Sequence, residues 1–201
     1  MTDRSTHTHF SAPARVLHWL VAALVIAMLF IGMAMVSTVS AARPWLLASH
    51  KAIGVVILGL VLVRLVVRWR RPPPPLPADL PRWIRMAAAA SHIALYALML
   101  TLPLAGWAML SAAGDPLWIA GGMHLPPLWP VDAGDYAALR HLHRWLAWLL
   151  ALAFLAHLGA ALWHALIRRD GVFAGMVRRG PRSGAVIKAP PGPAPGPSQG
   201  D

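Results

Sequence analysis

Four long runs of apolar residues alternate with short polar stretches along the chain. A helix needs about 20 mostly apolar residues to cross a bilayer. The runs that approach or exceed this length cover Val16–Val39, His50–Val67, Met86–Ala113 and Leu142–Ile167. Pro103 lies inside the third run and predicts a kink in that helix. The pattern therefore predicts an all-α fold in which four transmembrane helices pack as a bundle.

The first apolar run differs from a secretory signal. It is too long for one, and no clear cleavage site with a soluble domain behind it follows. We therefore expect this run to be retained as a helix. The chain then divides into a polar N-terminus (residues 1–15), a membrane domain (residues 16–180) and a Pro/Gly-rich tail (residues 181–201) that is predicted to be disordered.

The composition excludes an ordinary water-soluble domain. Hydrophobic residues make up 58% of the chain and charged residues 12%, and the mean hydropathy is +0.57. Soluble domains have about 45–50% apolar and about 25% charged residues. The absence of cysteine excludes disulfides, thiolate-bound metals, iron–sulfur clusters and covalently attached c-type haem.

The net charge of +11 is compatible with nucleic-acid binding, but the placement of the charges is not. The cations cluster at the ends of the apolar runs, which is typical of membrane proteins. Membrane lipid is therefore the expected surrounding, and no nucleic-acid partner is expected.

The arginines concentrate on one side of the predicted membrane. Six lie at the end of the second span and in the connection after it, against the single acid Asp79: Arg64, Arg68, Arg70, Arg71, Arg82 and Arg85. Six more cations follow the fourth span: Arg168, Arg169, Arg178, Arg179, Arg182 and Lys188. The connection between spans three and four instead carries Asp115, Asp132 and Asp135. Because positive residues favour the cytoplasmic side, both chain termini are predicted to be cytoplasmic.

Several of the ten histidines lie inside the predicted spans. Spans one to three contain His18, His50 and His92, and span four contains His143, His157 and His164, with His141 just before it. An ionisable side chain in a spanning helix is costly, so a functional role is the default interpretation. A single histidine is also explained as a structural hydrogen bonder, but this explanation weakens when so many occur on four helices.

The spacing within span four indicates two separate sites. His143 and His157 are fourteen residues apart, which leaves them about 40° apart around the helix and therefore on one face. They lie about 21 Å apart along the axis, one in each leaflet. His141 points to a different face and is the weaker ligand candidate.

The depths of the other histidines pair them with these two. Span one enters from the cytoplasm and brings His18 to the depth of His157, whereas span two brings His50 to the depth of His143. Two histidine pairs at two depths, without carboxylates, suit axial ligation of two haem b groups inside a four-helix bundle. His92, near the cytoplasmic end of span three, is left as a spare candidate for the cytoplasmic haem. A glycine, Gly32, lies at the depth of the periplasmic pair and would leave room for a flat macrocycle, although glycine is also common in membrane helices, where it aids packing.

Two other uses of the histidines remain open. Zinc prefers four ligands close together, and two pairs about 21 Å apart suit it poorly. A haem-free metal or proton transporter would use histidine side chains as well, although no Asp or Glu lies within the spans to pass a proton on.

With these residues placed, the sequence resembles the prokaryotic cytochrome b561 family over roughly Phe10–Arg179. The resemblance is carried by four motifs: RVLHWL around His18, LLASHKAIG around His50, SHIALYALMLTLPLAG around His92, and LHRWLAWLLALAFLAH, which holds His143 and His157. It implies a four-helix, di-haem b protein of the bacterial inner membrane that exchanges electrons with quinone. It also implies the same four haem ligands that the depths pair: His18 with His157, and His50 with His143.

The resemblance further implies a cytoplasm-side quinone pocket at Ser11 and His164. His164 follows His157 by seven residues, or about two turns, so we expect it on the same face and about 10 Å nearer the cytoplasm. A histidine there can donate to a quinone carbonyl and pass on its proton. From its depth alone, His164 is equally explained as an interfacial side chain that meets water.

The predicted function is electron transfer between the periplasmic side and the quinone pool. Some members of the family oxidise superoxide to oxygen while reducing ubiquinone, and superoxide:ubiquinone oxidoreductase is the specific activity expected here. Lys51, Arg140 and Arg144 would form a positive rim at the periplasmic mouth, which is explained equally by attraction of superoxide and by the basic composition of the whole chain. A cytochrome b subunit of a periplasmic dehydrogenase or hydrogenase, which would need a redox partner protein, is the alternative within the same class.

Overall fold

The computed structural model of the chain describes residues 10–77, 79–118, 122 and 124–177, and nearly all of these residues are helical. Four long helices follow one another: α1 (Ala12–Ser37), α2 (Arg43–Arg70), α3 (Arg82–Ala112) and α4 (Ala133–Leu162). A π-helical segment (Trp163–Arg168) continues α4, and a short helix, α5 (Val172–Val177), follows it. Each long helix is long and apolar enough to cross a membrane, which confirms the predicted all-α fold with four spans. The predicted tail, residues 181–201, and most of the N-terminal segment lie outside the described residues.

The helices extend beyond the apolar runs that predicted them. Helix α1 begins at Ala12 and α2 at Arg43, and each has a proline in its first turn, where the missing N–H costs nothing. Helix α4 begins at Ala133 because Asp132 caps it, with a carboxylate oxygen accepting the Asp135 N–H at 2.8 Å. Apolar runs mark only the part of a helix that lipid surrounds, so the polar first turns were not predicted.

The four long helices do not pack equally closely. Helix α1 packs along α2, α3 packs along α4, and α2 also contacts α3. The backbones of α1 and α2 do not approach that of α4 as closely as the backbones of these packed helices approach each other. This leaves a slot between α4 and the α1–α2 pair, and histidine side chains reach into that slot from both sides.

An apolar layer fills the middle of the bundle. Its buried residues come from all four helices: Val21, Val25, Ile57, Val61, Leu98, Met99, Leu102 and Leu150. Leu150 lies seven residues from His143 and seven from His157 along α4. The layer therefore separates two polar ends of the bundle, which we call the His18 end and the His50 end.

The connection from α3 to α4 folds over the His50 end. The Trp107 indole N–H donates to the Pro126 carbonyl at 3.1 Å, and the Leu128 N–H donates to Ser111 Oγ at 3.0 Å. Lys51 of α2 donates to the Asp115 carboxylate at 2.6 Å and joins α2 to the connection. The described part of the connection thus packs over this end of the bundle and leads into α4 at Ala133.

Candidate functional site

The histidine side chains of the long helices meet in two groups, one at each end of the bundle. At the His18 end, the rings of His18 on α1 and His157 on α4 have centroids 6.4 Å apart. At the His50 end, the rings of His50 on α2 and His143 on α4 have centroids 6.1 Å apart. All four side chains are half-buried. The structure therefore brings together the same pairs that the helix depths predict.

The spacing within each pair fits one metal ion held between two imidazoles. Metal–nitrogen bonds of about 2 Å on either side of an ion place the two ring centres about 6 Å apart. The Nδ1 atoms of His50 and His143 are buried without a hydrogen-bond partner in the described part of the chain. No group of three or more His, Asp or Glu side chains among residues 10–77, 79–118, 122 and 124–177 is placed to hold a metal ion. The donor sets therefore suit a planar cofactor whose metal needs only two protein ligands.

Two glycines lie against the histidine rings at the His50 end. A Cβ at Gly32 of α1 would lie 3.9 Å from Cε1 of His50, and a Cβ at Gly106 of α3 would lie 3.2 Å from Cε1 of His143. The first is ordinary contact, whereas the second is too tight for the imidazole to stay in place. Gly106 was not predicted from the sequence, although extending the comparison of depths to α3 would have found it.

A third histidine joins the group at the His18 end. The ring of His92 on α3 has its centroid 5.3 Å from that of His157, which is closer than the ring of His18. The His92 Nδ1–H donates to the Ala88 carbonyl at 2.8 Å, within its own helix. This bond fixes the ring orientation, and metal-ligating histidines commonly make such a bond. His92 is therefore a real competitor for the ligand position that His18 is expected to hold.

Beside this group, cationic side chains surround Tyr96 of α3. Arg64 Nε donates to the Tyr96 hydroxyl at 2.8 Å, and the Arg64 and Arg68 guanidinium groups lie 5.6 and 5.8 Å from the ring centroid. A small cleft of about 30 Å³ opens here, lined by Phe10, Ala14, Arg64, Arg68, Arg71, Pro73, Tyr96 and Met176. Neither Ser11 nor His164 lines this cleft. The Ser11 hydroxyl is nevertheless buried and has no hydrogen-bond partner within the described residues.

His164 lies in the π-helical segment rather than in a continuous α-helix. Its side chain is buried, as expected for an inward-facing position, with Nδ1 2.6 Å from the Asp170 carboxylate. Arg168 Nε donates to the same carboxylate at 2.9 Å. Asp170 was not predicted from the sequence as a functional residue. The signal for it is the Asp-Gly pair after span four, which is typical of a turn that brings the chain back on itself.

The sequence matches the prokaryotic cytochrome b561 family over residues 9–179. The chain belongs to this family. Membership makes it a membrane electron-transfer protein that binds haem b, in agreement with the four spans and the paired imidazoles. The same match covers all of the histidine groups described above.

Curated relatives support the assignment. The chain is 33% identical over 184 residues to cytochrome b561 homolog 2 of Escherichia coli K12, an alignment covering 88% of this chain and 95% of the relative. It is 30% identical over 131 residues to cytochrome b561 homolog 1 of the same strain, covering 65% and 74%. It is 29% identical over 135 residues to a Yersinia pestis protein named probable superoxide oxidase CybB, covering 67% and 76%.

Proposed function

We propose that this cytochrome b561 holds two haem b groups, one at each end of the bundle, and moves electrons between the periplasmic side and the quinone pool. His18 and His157 would hold one haem, and His50 and His143 the other. The observation that carries the proposal is the pair of imidazole–imidazole spacings, 6.4 and 6.1 Å, on opposite sides of the apolar layer. The arginine distribution supports the His18 end as the cytoplasmic one.

The chain contributes binding, orientation and exclusion of water. Haem iron, when bound, supplies the one-electron redox chemistry. The four histidines fix the position of each group across the slot beside α4. The apolar layer around Val61 and Leu150 keeps water and ions out of the space between the two ends. Gly32 and Gly106 place no side chain against the His50 and His143 rings.

The specific activity that we propose is superoxide:ubiquinone oxidoreductase. Two superoxide anions would each give up one electron and leave as oxygen, and one ubiquinone would take both electrons and two protons to become ubiquinol. The support is the similarity to the Yersinia pestis protein whose name includes superoxide oxidase. Arg140 and Arg144 are exposed at the His50 end and supply positive charge there, whereas Lys51 is paired with Asp115.

We place the ubiquinone site at the cytoplasmic end, near Ser11 and His164. The support is that each offers a buried polar group at that end and that the two positions resemble a quinone pocket of the family. His164 would donate to a quinone carbonyl and hand on a proton. Protons would then come from the cytoplasm, while superoxide reacts on the other side of the membrane.

A steady-state assay of the purified protein with superoxide and ubiquinone tests this function. We expect ubiquinol to form and oxygen to be released in a ratio of one to two. His164→Ala should keep both haems and their reduction by superoxide but lose ubiquinol formation, because the two steps use opposite ends. Turnover of His164→Ala at the parental rate would place the quinone elsewhere, beside the His50 end under the α3–α4 connection.

The two alternatives give different results in simple measurements. A cytochrome subunit of a periplasmic dehydrogenase or hydrogenase would co-purify with a redox partner protein and show no superoxide-dependent turnover on its own. A haem-free metal or proton transporter would show no reduced-minus-oxidised haem spectrum, and membership of a haem-binding family already disfavours it.

A further inference from the structure

The chain reverses direction sharply after α4. Arg169 has φ +53°, a left-handed conformation that few residues other than glycine adopt, and Gly171 has φ +81°. The Arg169 N–H donates to the His164 carbonyl at 2.8 Å and closes the wide π-helical turn. Helix α5 then returns along the bundle, where the Trp19 indole N–H donates to the Met176 carbonyl at 3.1 Å. This reversal places Asp170 directly against His164.

The His164 and Asp170 side chains form a close and buried pair. Nδ1 of His164 lies 2.6 Å from Oδ2 of Asp170, and each side chain is only 10% exposed. A carboxylate at this distance accepts the Nδ1–H, which leaves Nε2 as the nitrogen that can give or take a proton. The pair has the geometry by which a buried Asp fixes the tautomer and orientation of a catalytic His.

Asp170 is held in its ionised form. Burial alone would raise the pKa of its carboxyl, but three hydrogen-bond donors outweigh burial and hold the pKa below its usual range. The donors are the His164 ring, the Val172 N–H at 3.2 Å and Arg168 Nε at 2.9 Å. Because the carboxylate is pinned by Arg168 and by the backbone, it orients His164 without taking up the proton itself.

A second carboxylate connects this pair to the surface. Arg168 also bonds to Asp79, which lies in the connection between α2 and α3 and has a side chain that is 72% exposed. Helix α5 carries no titratable side chain, and Arg169 donates instead to the Leu166 carbonyl. Within residues 10–77, 79–118, 122 and 124–177, hydrogen bonds link His164 to Asp170, Asp170 to Arg168 and Arg168 to Asp79, from a buried imidazole to an exposed carboxylate.

We propose that Asp170 is a positioning residue for His164, and that the two form a dyad through which quinone reduction takes protons from the cytoplasm. This proposal rests on the quinone site proposed above. In each turnover ubiquinone takes two electrons and two protons. His164, protonated at both ring nitrogens, gives each proton from Nε2, keeps its Nδ1–H on Asp170, and regains the Nε2 proton from cytoplasmic water before the second transfer. The Arg168–Asp79 bond ties the dyad to the α2–α3 connection, where the Asp79 side chain is exposed.

The main test compares Asp170→Asn with His164→Gln in the full-length, haem-loaded protein. We expect Asp170→Asn to keep both haems but to lower ubiquinone reduction on the order of tenfold or more, as for loss of acid–base catalysis. The pH profile of turnover in this variant should differ from that of the parent, because Asp170 no longer accepts the Nδ1–H of His164. Asp135→Asn is the matched control, since it makes the same change at the opposite end, where Asp135 accepts the Trp129 indole N–H.

The tautomer of His164 provides a readout besides turnover. In NMR spectra of ¹⁵N-histidine-labelled protein, the signal of His164 is identified as the one that His164→Gln lacks. In the parent protein this signal should show a protonated Nδ1. An asparagine can present its NH₂ group to Nδ1 instead, so Asp170→Asn should move the proton to Nε2. Asp135→Asn should leave the signal unchanged. A purely structural role of Asp170 in holding α5 would move neither the pH profile nor this tautomer.

The two proposals fail in distinguishable ways. Parental turnover in His164→Gln overturns the quinone site and the dyad with it. Slow turnover in His164→Gln together with a parental rate and pH profile in Asp170→Asn overturns the dyad alone. Should Asp170→Asn not assemble with haem, Arg168→Gln removes the cation that holds Asp170 and keeps both members of the dyad. An unchanged pH profile in Arg168→Gln then overturns the proposal, and a shifted profile supports it.

Discussion

Gly106 of α3 faces the His143 ring of α4 so closely that a Cβ at Gly106 would lie 3.2 Å from Cε1 of His143. So tight a contact forces the neighbour to shift by a few tenths of an ångström. A ring that binds metal across the slot has little freedom to do so, since ligand geometry must be kept closely. The glycine therefore belongs to the haem site that we propose at the His50 end, although it offers no ligand atom.

Gly106→Ala should accordingly disturb one haem and spare the other. We expect a shifted spectrum or partial loss of the haem at His50 and His143, with the haem at His18 and His157 unaffected. Gly59→Ala is the matched control, because a Cβ there meets nothing within 4 Å. Haem content and low-temperature spectra of the two variants measure the effect. Equal behaviour of the two variants would contradict a role for Gly106 in this site.

Replacement of the four proposed ligands, one at a time, should remove one haem for each ligand pair and leave the other haem in place. Replacing His50 or His143 with Ala should remove the haem at that end and largely leave the other, and replacing His18 or His157 should do the converse. The reason is the apolar layer between the two pairs, which lets each site assemble independently. Pyridine haemochrome quantification measures haem per chain. Two haems and an unchanged spectrum in His157→Ala would exclude the assignment.

His92 provides the control for this pattern of haem loss, and it is also the residue that competes with His18 for the ligand position opposite His157. If His18 is the ligand opposite His157, His92→Ala should retain both haems and change only the spectrum of the nearer one. Loss of that haem in His92→Ala, with retention in His18→Ala, would give the ligand position to His92. The ring spacings of 5.3 and 6.4 Å make this comparison necessary.

The parts of the site that the sequence predicted are those that follow from helix periodicity and depth. His143 and His157 share a face because they are fourteen residues apart on one helix. The antiparallel course of spans one and two brings His18 to the depth of His157 and His50 to the depth of His143. The sequence did not predict Asp170, because a π-helical segment and a left-handed Arg169 set its position. It also missed the pairing of Lys51 with Asp115, since that contact depends on how the α3–α4 connection folds back.

Membrane orientation is a separate prediction that rests on the arginine distribution. A reporter active only in the periplasm should be active when fused after Gly134 and silent when fused after Arg182. A cytoplasmic reporter at the same two positions should give the opposite pattern. If the fusion after Arg182 is the active one, the His18 end is periplasmic and the proposed direction of electron flow is reversed.

The Lys51–Asp115 ion pair should limit the attraction of superoxide to the His50 end. Asp115→Asn removes one negative charge and frees Lys51, whose side chain is 20% exposed. We expect superoxide-dependent haem reduction to become about two- to threefold faster at low ionic strength, with the gain screened by salt. Asp135→Asn, which removes a charge from the same end without contacting Lys51, controls for net charge. Equal gains in both variants would mean that the overall charge, not the ion pair, is responsible.

The depressed pKa of Asp170 predicts how the end of α4 responds to acid. A carboxyl with a pKa lower in the folded than in the unfolded chain stabilises the fold at neutral pH, and this contribution is lost as the pH falls below about 4. Asp170→Asn should therefore weaken the reversal by about 1–3 kcal/mol at pH 7 and make little difference in acid. Hydrogen exchange at Val172, whose N–H donates to Asp170, measures the effect, with Val61 in the bundle core as the internal reference. Equal protection of the Val172 N–H in parent and variant at pH 7 would show that the carboxylate does not stabilise the turn. If the variant protects Val172 less than the parent by the same amount at acid pH as at pH 7, the charge of Asp170 is not the cause.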